Sequence, residues 1–110
     1  LPTQVRTGEE FKITFVFTNT SDHILIGGDN PIGVSYHWYN MNGEPVVFDN
    51  PRYYFTSPVL PNEAKIISMT AKAPDAIGQY NLMINCVQEN VKWFMQYPSS
   101  PYIYTINVTG

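Results

Sequence analysis

Asp75-Ala76-Ile77-Gly78-Gln79-Tyr80-Asn81-Leu82 is a short turn carrying glycine, then a tyrosine, then alternating apolar residues. That order is the pattern of a tyrosine corner, in which the tyrosine opens a core strand and its hydroxyl ties back to nearby backbone. Upstream, Val34, Tyr36 and Trp38 alternate with Ser35, His37 and Tyr39. A period of two puts the first three on one face of a strand and the second three on the other. Read together, the corner and the tryptophan specify an all-β chain, two antiparallel sheets packed face to face with Trp38 between them. They specify no reaction.

Working outward, strand-like segments are separated by Pro/Gly/Asn/Asp clusters, as such a fold requires. Pro2–Arg6 reads as a short first strand. Phe11–Asn19 follows, with Phe11, Ile13, Phe15 and Phe17 on one face and Lys12, Thr14 and Thr18 on the other. Residues 20–32 form a loop, and Val34–Met41 is the tryptophan strand. Asn42-Gly43 is a strong hairpin signal, returning the chain over Pro45–Asp49. Tyr53–Thr56 reads as a short strand, Pro61-Asn62-Glu63 as a turn, and Ala64–Ala71 as a strand with Ile67, Met69 and Ala71 inward. The tyrosine strand runs from Gln79 to Glu89, and Tyr102–Val108 closes the fold. No segment sustains a helical period, so almost no helix is expected. The whole predicts an antiparallel β-sandwich of immunoglobulin-like or fibronectin-III-like type with about seven to eight strands.

The chain has 110 residues, the size of one domain, so residues 1–110 read as a single unit. An apolar share of 44% excludes disorder. Charged residues are only 14%, which leaves a surface built from amides, hydroxyls and tyrosine. Net charge is −3 and the six basic residues are scattered, so there is no footprint for nucleic acid or for an anionic membrane. No apolar run approaches the ~20 residues that span a bilayer. With no initiator methionine and no signal-peptide pattern, the chain reads as a piece of a larger protein. Cys86 is alone, so no internal disulfide forms and the cystine of antibody domains is absent. In phase with Leu82 and Ile84, it reads as a small buried hydrophobe.

Nothing in the sequence assembles a catalytic group. His23 sits in a loop beside Asp22, and His37 stands on the outer side of its strand. Each reads as a plain surface residue, with no ligand spacing around it. Asp22, Asp29 and Glu89 fall in loops that share one end of such a fold, yet calcium requires six or more oxygens. No catalytic residue, metal or cofactor is expected. Asn19-Thr20-Ser21 and Asn107-Val108-Thr109 match the glycosylation acceptor pattern; patterns this short also arise by chance.

Two surfaces remain as binding candidates. The outer face of the tryptophan strand and its neighbours shows His37, Tyr39, Asn81, Met83, Asn85, Val87 and Thr105. Rings beside amides and hydroxyls suit a sugar, whose C–H face stacks while its hydroxyls bond. They equally suit a protein neighbour, or stand as an outer face with no partner. The second surface is the connection carrying Trp93, Phe94, Met95 and Tyr97, which either binds or folds back to plug one end of the fold.

Three blocks carry a wider likeness: Val34-Ser35-Tyr36-His37-Trp38-Tyr39 followed by Asn42-Gly43; Pro58-Val59-Leu60-Pro61-Asn62-Glu63; and Ala73-Pro74 through Gly78-Gln79-Tyr80-Asn81-Leu82, ending in Val87-Gln88-Glu89-Asn90-Val91-Lys92-Trp93-Phe94. Together they resemble immunoglobulin-like accessory modules appended to bacterial glycosyltransferases, methyltransferases and other cell-surface polysaccharide proteins. Asn62 and Asn90 stand where glycine is usual in the turns, and asparagine tolerates left-handed geometry. The resemblance implies a noncatalytic domain on the cytoplasmic side or surface of a bacterium. Its partners would be a glycan, neighbouring domains or a second copy. For carbohydrate recognition the candidates are Trp93, Tyr39 and His37, with Asn85 and Glu89 as polar partners. The alternative is a structural or interaction module that positions or dimerises a catalytic neighbour. Burial of both Trp93 and Tyr39, or an edge strand left open for pairing, favours the alternative.

Overall fold

The computed structural model describes residues 2–20, 22, 24–25, 32–55, 57–88, 92–93 and 102–110, with 88, 92 and 93 described by backbone alone. These residues form β1 (Gln4–Arg6), β2 (Glu10–Thr18), β3 (Ile32–Asn40), β4 (Pro45–Val47), β5 (Tyr53–Tyr54), β6 (Ala64–Lys72), β7 (Gly78–Gln88), β8 (Lys92–Trp93) and β9 (Ile103–Thr109). They contain no helix, as expected.

Two sheets share one core. The larger has the order β1-β9-β7-β3-β4, with β5 also on β3 and β8 on β7. β1 runs parallel to β9 while every other pair in it is antiparallel. The smaller sheet is β2 paired with β6. Alternation explains the smaller sheet directly. Phe11, Ile13, Phe15 and Phe17 turn inward from β2, and Ile67, Met69 and Ala71 from β6. Lys12, Thr14, Val16 and Thr18 on the other face of β2 are exposed. From the larger sheet, Val34, Tyr36, Trp38, Tyr80, Leu82, Ile84, Ile106 and Val108 complete the core.

The tyrosine corner is formed. The Tyr80 hydroxyl donates to the Ala76 carbonyl at 2.9 Å, and its ring meets fully buried Trp38 edge-on at 6.2 Å. Trp38 Nε1–H donates to the Lys72 carbonyl at 2.9 Å, and the Lys72 amide donates to the Tyr36 hydroxyl at 2.9 Å. The polar ends of two core aromatics thus hold one residue at the end of β6. This fastens the sheets together and satisfies groups whose burial without partners would each cost about 1–3 kcal/mol.

Asn62 has φ 65°, so asparagine does occupy a left-handed turn position. The β3–β4 connection differs from a two-residue Asn-Gly hairpin, because only Gly43 has positive φ, at 84°. Asn40 closes a longer loop instead. Its Oδ1 accepts from the amides of Asn42 and Glu44, both at 3.0 Å.

Candidate functional site

β3 alternates as its sequence indicates, yet both of its faces are covered from Ile32 to Tyr39. His37 is 0% exposed, Asn85 2% and Tyr39 6%, and Met83 and Val87 are buried with them, which corrects the expectation that these residues line an open outer face. Among the described residues, the chain between β4 and β5 covers Ser35 and His37. Phe48 stacks on the His37 ring with centroids 4.1 Å apart and planes at 17°. The Ser35 hydroxyl donates to the carbonyls of Asn50 and Pro51 at 3.2 and 3.0 Å. Asn50 Nδ2 donates to the Tyr36 carbonyl at 2.8 Å. Arg52 bonds the Asn50 carbonyl and pairs with Asp49, both at 2.5 Å. Residues 48–52 therefore form a strap across the outer side of β3, anchored by side-chain-to-backbone bonds. Gly33 permits the close seat of β5, because a Cβ there would stand 2.9 Å from the Tyr53 carbonyl oxygen.

The strap and β7 fix the state of His37. Nδ1 lies 2.5 Å from the Phe48 carbonyl, which can only accept, so Nδ1 carries the proton. Nε2 then accepts from Asn85 Nδ2 at 3.0 Å. Asn85 Oδ1 in turn accepts from the Cys86 amide at 2.8 Å, which fixes the orientation of its amide group. Burial pushes the His37 pKa below its ordinary value, and the Arg52 charge adds to this; the Phe48 carbonyl and Asp49 oppose them.

Of the five sequence-nominated ligand residues, the structure brings His37 and Asn85 into direct contact. Tyr39 stands edge-on to His37 at 6.3 Å. Trp93 lies on β8, whose backbone pairs Val87. Glu89 and the rest of that aromatic connection, Phe94, Met95 and Tyr97, lie outside the described residues. So do His23, Asp29 and Asn90. Asp22 is exposed, and the described residues contain no group of His, Cys, Asp and Glu arranged to hold a metal. Cys86 is buried as its phase indicates, and burial pushes its thiol up to about 12, which leaves it protonated and unreactive near neutrality. Asn19 is buried with its amide donating to the Val59 carbonyl at 3.0 Å, so that acceptor pattern is structural.

The open part of the outer face lies further along the sheet. Gln4, Asn107 and Gln79 stand side by side on β1, β9 and β7. In the next row the Thr105 hydroxyl donates to Asn81 Oδ1 at 2.7 Å. Gln4, Gln79, Thr105 and Asn107 are exposed. Asn81 and Thr105 are expected on this face from the sequence; Gln4, Gln79 and Asn107 are not. Their alternation with Val5, Tyr80 and Val108 carries the signal, but only the register of β1 and β9 makes them neighbours.

No family model, curated protein or solved structure matches this chain. No helix of the described residues is long and apolar enough to cross a membrane.

Proposed function

We propose that this chain is a noncatalytic immunoglobulin-like module that positions or joins a neighbour within a larger bacterial polysaccharide-related protein. The tyrosine corner, the buried Trp38 and the shared core of two sheets support the immunoglobulin-like reading. One observation carries the functional one. His37 and Asn85, the side chains best suited to greet a ligand, spend their hydrogen bonds on each other, on the Phe48 carbonyl and on the Cys86 amide. Their chemistry serves the fold. The smaller sheet, two strands among the described residues, also presents Val16 and Ile66 side by side, 65% and 77% exposed. Such a pair suits an adjoining surface.

Carbohydrate recognition is the second reading, favoured by the uncharged rows of Gln4, Asn107 and Gln79 and of Thr105 and Asn81. A glycan-array screen read by intrinsic tryptophan fluorescence separates the two. A positioning module gives no saturable hit while circular dichroism shows an intact fold. A saturable hit lost on Asn107→Ala or Trp93→Ala, with the fold retained, replaces the first reading by the second.

A further inference from the structure

An edge strand turns half of its backbone groups away from its one neighbour, and most edges of this molecule are short or guarded. β1, β4, β5 and β8 are two or three residues long, and β4 carries Pro45 and a register shift against β3. β9 is left uncovered by β1 only over residues 103–106. β6 has nine residues but is guarded at both ends. The carbonyl and amide of Lys72 are taken by Trp38 and Tyr36, and Lys65, in the inward phase, donates to the Ser57 hydroxyl at 3.0 Å. β2 has none of these devices. It runs nine residues, Glu10–Thr18, without Pro, Gly, inward charge or register shift. Its spare groups follow from the alternation of bonds. Lys72, opposite Glu10, turns both of its groups away from β2, while the Ala73 amide donates to Glu9 and the Asn19 amide to Glu63. The N–H and C=O of Glu10, Lys12, Thr14, Val16 and Thr18 therefore point to the outer edge, where no described strand pairs with them. The flank beneath that edge is apolar. Phe11, Phe15 and Phe17 on β2 are only partly buried, whereas Ile67, Met69 and Ala71 on β6 are buried.

We propose that β2 pairs edge to edge with β2 of a second copy of this chain, antiparallel and centred on Thr14, so that the two-stranded sheets of the two copies become one continuous sheet. On the reading of the chain as a joining module, this names the neighbour it joins. A second copy is the occupant because the edge complements itself. Centred on Thr14, the whole strand pairs, and the outward-pointing groups of the two strands exchange roughly ten hydrogen bonds. On the core side, Phe11 meets the partner's Phe17 and Ile13 meets the partner's Phe15, which covers the half-buried flank. On the outer side no like charges face each other, since Glu10 lies opposite the partner's Thr18 and Lys12 opposite the partner's Val16. Centring on Lys12 would instead set two lysines face to face. Pairing β2 with β6 of another copy would build an open row of molecules, and the guards on β6 oppose it. β2 against β2 closes at two copies.

The test is sedimentation velocity of the whole chain from about 1 μM to about 300 μM, with amide hydrogen exchange at both ends of that range. The expected result is a dimer that forms with concentration. Its exchange should slow more at the amides of Lys12, Thr14 and Val16 than at those of Ile13 and Phe15, which already face β6. Thr14→Pro removes one seam donor from each copy and none of the bonds to β6, and should weaken dimerisation at least about tenfold. Val16→Lys sets a positive charge opposite the partner's Lys12 and should weaken it severalfold, while Val16→Glu sets a negative charge there and should not. The charge pair still discriminates if Thr14→Pro misfolds. Ile66→Thr alters the exposed outer face of β6 away from the seam, so the dimer should persist. A chain that stays monomeric, a dimer without the added protection at those three amides, or a dimer lost equally in Val16→Lys and Val16→Glu or lost in Ile66→Thr overturns the proposal. A monomer overturns self-pairing alone, whereas only a saturable glycan hit overturns the joining role beneath it.

Discussion

His37 and Tyr80 show how far a single residue's role is written in its neighbours along the chain. Tyr80 follows a glycine turn, and its hydroxyl reaches a carbonyl only four positions back, Ala76. That bond is local enough to anticipate. Tyr80→Phe removes one donor and keeps the ring against Trp38. It should cost about 1 kcal/mol in urea unfolding with the slope unchanged; a cost near zero would mean that the corner is held by packing alone. His37 has no such local partner, since its acceptor and its donor come from Phe48 and Asn85. Because its folded pKa lies below the ordinary 6.5, the unfolded chain takes up the proton first as pH falls. The contribution of neutral His37 is complete above about pH 6.5 and is lost progressively below it. Stability measured by denaturant should therefore fall from about pH 7 to about pH 5 in the native chain, and less steeply in His37→Gln. Equal slopes in the two would assign the pH dependence to other groups.

At the scale of elements, β6 separates exposure from importance in adjacent residues. Ile66 and Ile67 are chemically identical and point to opposite faces, the first 77% and the second 1% exposed. Ile66→Thr should change stability by no more than about 0.5 kcal/mol. Ile67→Ala opens a cavity against Phe15 and the larger sheet and should cost about 2–5 kcal/mol. Chemical denaturation of both variants checks the pair, and similar costs would show that the outer face of this sheet is covered in solution. The same alternation made β2, β3, β6, β7 and β9 legible, because a strand with one face on a core must repeat every two residues. Ends were less legible: β4 stops at Val47 and β5 begins only at Tyr53, because between them the chain leaves the sheet to make the strap. Their pairing partner is β3, and short strands without much alternation carry no record of which edge they join.

Across the whole molecule, the single cysteine leaves the core without a cystine, and Trp38 and Tyr36 bridge the sheets instead, through their polar ends on Lys72 and through the Phe11 ring edge-on to Trp38. His37, Tyr39 and Asn85 stand on the outer side of the sheet, as expected, but are buried there and do not meet solvent. Sequence alone determined the strand class, the inward set Val34, Tyr36, Trp38, Leu82 and Ile84, the buried Cys86 and the tyrosine corner. All of these follow from a period of two and from contacts between near neighbours in the chain. Only the tertiary structure decided that Ser35, His37 and Asn85 are interior, and that Gln4, Gln79 and Asn107 stand in one open row. A period of two tells one face from the other, but it does not say what lies over either. Here that depends on where residues 48–52 cross β3 and on which strand β1 joins. Both are pairings between segments far apart in the chain, set by three-dimensional fit and not by any local pattern.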